Sequence, residues 1–130
     1  MSSDWSLEDW LLDAGEKAQQ KRINGEVLSP VEAFTQEYWT FDMHAVNGGV
    51  SQYFCNFDLQ NWAALQSSAP LENVPSFGQV IDRVNDIISG ASDPYEALIT
   101  SSGIDDWYYR HRLSVIRELR IAAVKTVPER

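Results

Sequence analysis

A chain of 130 residues is the length of one ordinary domain, long enough to withdraw roughly two-thirds of its unfolded surface from water without a covalent staple. Its 19 acidic and 10 basic residues give a formal net charge of -9, which disfavours direct nucleic-acid binding because that affinity comes largely from neutralising phosphates with Lys and Arg. The single cysteine, Cys55, excludes an internal disulfide, and the sequence shows neither an export leader nor a window near the ~20 apolar residues of a membrane span, so a cytoplasmic location with no membrane attachment is expected.

Ser6 is placed to cap a first helix in which Leu7, Trp10, Leu11, Ala14 and Ala18 share one side, ending at Asn24-Gly25. Ser29-Pro30-Val31-Glu32 opens a second helix: serine caps, proline takes the first helical position, and glutamate three residues on closes a capping box. Val31, Phe34, Tyr38, Phe41 and Ala45 follow at spacings of 3, 4, 3 and 4 as one apolar stripe, while Glu32, Gln36, Trp39 and Met43 make the other side partly apolar. Asn47-Gly48-Gly49 ends this helix, glycine being free to adopt the positive φ of a C-terminal turn.

Short helices are expected over residues 50–56 and 58–66. After a loop at residues 70–75, Ser76 and Gln79 form a second expected capping box ahead of Phe77, Val80, Ile81, Val84, Ile87 and Ile88, and Ser89-Gly90 stops the helix. Asp93-Pro94-Tyr95-Glu96 opens a short segment that Ser102-Gly103 closes, and one long helix spans residues 105–125. Helix caps stand at the starts and no stretch alternates with period two, so the expected architecture is one all-α domain over residues 1–130, a bundle of about six helices with no sheet.

Two histidines, His44 and His111, and one cysteine cannot supply a tetrahedral zinc site of the usual nitrogen and sulfur ligands, so no metal or other cofactor is expected. A Cys55 and His44 nucleophile pair competes with a simpler reading, in which the aromatics of Tyr53-Phe54-Cys55-Asn56-Phe57 bury an inert thiol. No phosphate loop, nucleophile elbow or dinucleotide fingerprint occurs, and no catalytic residue is assigned. Asp105 and Asp106 fall in the first turn of the last helix, where the macrodipole favours negative charge. Arg112 projects onto the apolar side of that helix with Tyr108, Val115, Leu119 and Ala123; it either pairs with a buried carboxylate, Asp42 being a candidate, or snorkels to solvent. Trp10, Trp62 and Trp107 read as core, and Trp39 is the exception, a candidate contact surface.

Charge is segregated along the chain, with 12 carboxylates and one basic residue, Arg83, from Ile23 to Tyr109, then six basic and two acidic residues from Arg110 to Arg130. Asp82 and Asp86 lie one turn apart on the side opposite their apolar stripe, a spacing that costs a few tenths of a kcal/mol in repulsion. Two readings stand for such carboxylates: a solvated surface that maintains solubility, or an array that takes up a cationic partner.

Asn47-Gly48-Gly49-Val50-Ser51-Gln52-Tyr53-Phe54-Cys55-Asn56, preceded by Glu37-Tyr38-Trp39-Thr40-Phe41-Asp42, resembles the central motif of a domain-of-unknown-function family of small bacterial domains that includes an acidic neisserial DNA mimic. The resemblance covers residues 30–58, with His44 in place of an acidic residue and Val50 in place of a larger aromatic. It implies an all-α fold, with Gln52 and Asn56 as hydrogen-bonding fixtures of the turn and Tyr53 and Phe54 packed beneath it. It further implies carboxylates that imitate DNA phosphates against a helix-turn-helix repressor. The expected function is then an acidic module that binds a basic protein through some of Glu32, Glu37, Asp58, Glu72, Asp82 and Asp86, with Trp39 as a further contact. That partner is a DNA-binding regulator or, as the alternative, a toxin enzyme neutralised by an immunity-type protein; a homodimer is compatible with both.

Overall fold

Side-chain caps set most of the helix starts. In the computed structural model, which describes residues 6–126, α1 (Leu7–Ile23) begins where the Ser6 hydroxyl accepts from the Asp9 amide at 3.0 Å. The Ser29 and Glu32 capping box opens α2 (Pro30–Gly48) as expected. A short α3 (Val50–Asn56) follows, and Asp58 and Asn61 form a second complete box ahead of α4 (Leu59–Ser68). Then come α5 (Pro75–Ile88), α6 (Pro94–Ile99) and α7 (Ile104–Thr126). The expected six helices become seven because residues 94–99 complete a helix of their own, Asp93 accepting from the Glu96 amide. The described residues contain no strand, and the bundle is a single domain.

The start of α5 differs from expectation. Pro75 takes the first helical position, so Ser76 already lies inside the helix and no Ser76 and Gln79 box forms. A carboxylate from another helix replaces it: Glu118 of α7 accepts from the Ser76 amide at 2.9 Å and from its hydroxyl at 2.6 Å. An anion at a helix N-terminus satisfies amides that have no intrahelical partner, whichever element supplies it.

The predicted stripe of α2 is buried along its length, and α2 is the central rod, packed by α1, α3, α4 and α7. Phe34, Tyr38 and Phe41 meet Phe77 of α5, Trp62 of α4 and Tyr108 of α7 in one aromatic cluster. Its pairs include Phe34 with Phe77 at 5.3 Å and Phe41 with Tyr108 at 5.6 Å between ring centroids. Edge-to-face geometry dominates that cluster, as the ring quadrupoles favour. Trp62 is core as expected, whereas Trp10 and Trp107 are half-buried against its margin. The Trp62 indole donates to Asn85, and the Asn85 amide donates to Gln66, which ties α4 to α5.

Gly15 fixes how closely α1 approaches α2. A Cβ built there would stand 2.5 Å from Cγ of Trp39, so the ring occupies the space that a side chain would need. An interior Gly→Ala change normally stabilises a helix by about 1 kcal/mol, while overpacking a filled contact costs roughly 1–3 kcal/mol. Gly15→Ala is therefore expected to lower the melting temperature in thermal denaturation, and an unchanged or raised value contradicts this packing.

Candidate functional site

Five side chains from three helices form a polar chain beneath the α1 and α2 surface, buried except for Glu8 at its rim. Arg112 grips Asp42 with two parallel bonds, Nε to Oδ1 at 2.8 Å and Nη2 to Oδ2 at 2.6 Å, and both side chains are 5% exposed. Its Nη1 reaches Glu8 of α1 at 2.6 Å. The Tyr108 hydroxyl donates to Asp42 at 2.6 Å, which leaves Tyr38 as the donor in the 2.8 Å bond between the two tyrosines. Arg112 thus takes a buried pairing and does not snorkel. Burial opposes its charge, but hydrogen bonds and attraction from Asp42, then Glu8, hold its pKa above the ordinary arginine value. Burial foremost pushes the Tyr38 and Tyr108 hydroxyls well up, so both remain protonated donors.

The Asn-Gly-Gly turn is held from outside itself. Gly49 has φ 93° and caps both α2 and α3. Asp105 of α7 accepts from the Val50 amide at 2.8 Å, and a Cβ on Gly49 would stand 2.7 Å from its other oxygen. Asp105 therefore serves the N-terminus of α3 from across the fold. Gln52 lies against Gly48, yet neither Gln52 nor the exposed Asn56 makes a side-chain hydrogen bond among the described residues. Asn47 and Gly48 are exposed, Tyr53 is buried and Phe54 half-buried, and the two rings meet edge to face at 5.2 Å between centroids.

The six expected carboxylates fall into three groups. Glu32 is engaged: it completes the α2 capping box and pairs with Lys21, whose hydrogen bond foremost holds the Glu32 carboxyl below its ordinary pKa and raises Lys21. Glu37 is half-buried and accepts from the Ser68 hydroxyl at 3.1 Å, and exposed Asp58 caps α4. Burial first, and then the charges of Glu37 and Asp58, push the Tyr53 hydroxyl up to about 12. Glu72, Asp82 and Asp86 are exposed and make no hydrogen bond or ion pair among the described residues. Asp82 and Asp86 stand one turn apart on α5, and no hydrogen bond or ion pair joins any two of the six.

No basic side chain of the last helix forms an ion pair with any of the six among the described residues. Arg110 pairs with Asp106 one turn away, and Arg112 is consumed by Asp42 and Glu8. Arg83 lies 4.7 Å over the Trp107 ring, which in turn stacks on His111.

Cys55 is exposed, not buried, and lines an open hollow of about 690 Å³ with Phe54, Phe57 and Asp58. His44 turns Nδ1 to the Thr40 carbonyl at 2.8 Å and its ring edge to Phe57, and no hydrogen bond joins it to Cys55. Trp39 is half-buried, with one face on Gly15 and the rest bordering a groove between α1 and α2. Among the described residues no three His, Cys, Asp or Glu side chains gather as a metal site, and no helix is long and apolar enough to cross a membrane.

In comparisons with known proteins, the chain matches no family model, no curated protein and no solved structure. The likeness of residues 37–56 to the Asn-Gly-Gly motif therefore carries no family assignment.

The charge of Glu37 adds to burial in raising the Tyr53 hydroxyl. Negative charge disfavours the phenolate, so Glu37→Gln is expected to lower the Tyr53 pKa from about 12 towards the ordinary value near 10. Alkaline titration of ring-labelled tyrosine by NMR measures it, and an unchanged Tyr53 midpoint places Glu37 away from the hydroxyl.

Proposed function

We propose that this domain is an acidic protein-binding module whose outward carboxylates capture a basic protein surface, in the manner of a DNA mimic occupying a nucleic-acid-binding face. The observation behind this reading is that Asp82 and Asp86 are exposed one turn apart on α5 and make no ion pair among the described residues, neighbouring Arg83 being laid over the Trp107 ring instead. Like charges at that spacing repel in the free protein, and an incoming cation relieves the repulsion. Glu72 lies in the loop immediately before α5, and Glu37 and Asp58 extend the negative character to the Tyr53 side of α4. Duplex DNA carries one charge per ~1.7 Å of axis, so several closely spaced carboxylates are what a phosphate-reading surface meets.

Affinity capture from the host, followed by competition, tests this. A captured basic protein is expected to elute as salt rises from about 50 to 200 mM, because screening shortens the reach of exposed charges. Duplex DNA is expected to displace it, and Asp82→Asn with Asp86→Asn to weaken retention about tenfold or more. Retention that survives high salt and ignores both substitutions overturns the reading. Displacement by salt but not by DNA, with a toxin enzyme in the eluate, moves the assignment to an immunity-type protein.

A further inference from the structure

Between α1 and α2 runs a groove of about 330 Å³ whose walls are apolar and whose floor is ionic. Leu12, Met43 and Val46 line it at 47%, 45% and 43% exposure, and half-buried Trp39 completes the wall. Large side chains left this open on adjoining turns of two helices mark a contact surface, whereas scattered exposed apolar residues do not. Methionine and tryptophan are also residue types enriched where partner side chains are anchored.

Two independent features set the sign of what fits there. The floor holds two carboxylates, Glu8 and Asp42, against the single guanidinium of Arg112, and the Glu8 side chain is 54% exposed at the rim. Val46 and Asn47 bring the C-terminal end of α2 to the groove, and that helix has no basic residue in its last turn. A helix C-terminus carries partial negative charge and favours a cation. Apolar walls combined with negative ends match an amphipathic helix bearing Lys or Arg beside its hydrophobic stripe, the helix-in-groove mode of recognition.

We infer that the α1 and α2 groove receives the hydrophobic face of a basic amphipathic helix from the partner protein, with Leu12, Trp39, Met43 and Val46 as its apolar seat. This rests on the proposed reading that the partner is basic, and adds that its capture has an apolar anchor beyond charge alone. The carboxylates of α5 then attract and the groove holds, since steering charges raise association rates while buried apolar contacts slow release.

The probe is a synthetic Leu/Lys amphipathic peptide of about 14 residues, near the length of an average globular helix, titrated into isotope-labelled protein. Chemical-shift changes are expected to centre on Leu12, the Trp39 indole, Met43 and Val46. Met43→Glu with Val46→Glu is expected to weaken binding about tenfold or more, at exposed positions where the fold is checked by circular dichroism. Those substitutions add negative charge, so unchanged or tighter binding shows mere electrostatic attraction and overturns the inference. A peptide of equal charge with Leu replaced by Ser is expected not to bind, and undiminished binding also overturns it. Groove resonances that shift with protein concentration alone would identify a second copy as the occupant, and a partner helix is then excluded. The groove is read from the peptide titration and the α5 carboxylates from salt- and DNA-sensitive capture of the partner, so failure of the groove and failure of the α5 carboxylate reading are separately visible.

Discussion

A bidentate ion pair, Arg112 with Asp42, joins the last helix to the central one inside the aromatic core. Withdrawing two charges from water is expensive, and the attraction between them repays that cost only with good geometry and satisfied remaining atoms. Here both conditions hold: the pair is planar-to-planar through two hydrogen bonds, Tyr108 caps one Asp42 oxygen, and Glu8 takes a further guanidinium N–H. The junction therefore constrains α1, α2 and α7 at once. It also directs the one basic side chain of α7 that points inward to a carboxylate deep in the fold.

That allocation divides the carboxylates into two populations. Asp42, Asp105, Glu118 and Glu32 are structural, serving a buried arginine, the N-terminus of α3, the N-terminus of α5, and a capping box with its lysine. Helix N-termini provide the positive end of a dipole, so an acidic chain with few cations can satisfy many carboxylates this way. Glu72, Asp82 and Asp86 belong to the second population, in solvent with no such partner among the described residues. Exposed carboxylates also stand elsewhere, at Glu16, Glu26 and Glu96, and the proposed function singles out those of α5 and the loop before it because Asp82 and Asp86 are one turn apart. The groove beside Trp39 lies over the ionic junction, so the element that holds the helices together also supplies the polar floor of a second surface.

Local pattern was enough for the helices. The 3 and 4 spacing of Val31, Phe34, Tyr38, Phe41 and Ala45 predicted the buried stripe of the central helix, and Ser29 with Glu32 predicted its start. Arg112 was legible as a residue in need of a partner because it sits among apolar positions of its own helix, and Asp42 was named for it. What local pattern missed came from distance or from short elements. Glu118 lies 42 residues from Ser76 and Asp105 lies 55 from Val50, so no spacing rule connects either carboxylate to the amide it serves. Cys55 was misjudged by its aromatic neighbours: two residues beyond buried Tyr53, it lies about 200° around the helix and faces solvent. A seven-residue helix is too short for periodicity to reveal which face is inside.

A double-mutant cycle on Asp42→Asn and Arg112→Met tests the central junction most directly, read as unfolding free energies from denaturant titration. Each single change leaves a buried polar or charged group without its counterpart, at a cost of roughly 3–5 kcal/mol for a broken buried pair. A coupling of about 2–3 kcal/mol is expected, with the double variant no less stable than the poorer single one. Additive losses, or single substitutions that cost less than about 1 kcal/mol, would show that the helices are held by apolar packing alone and that this pair does not organise the fold.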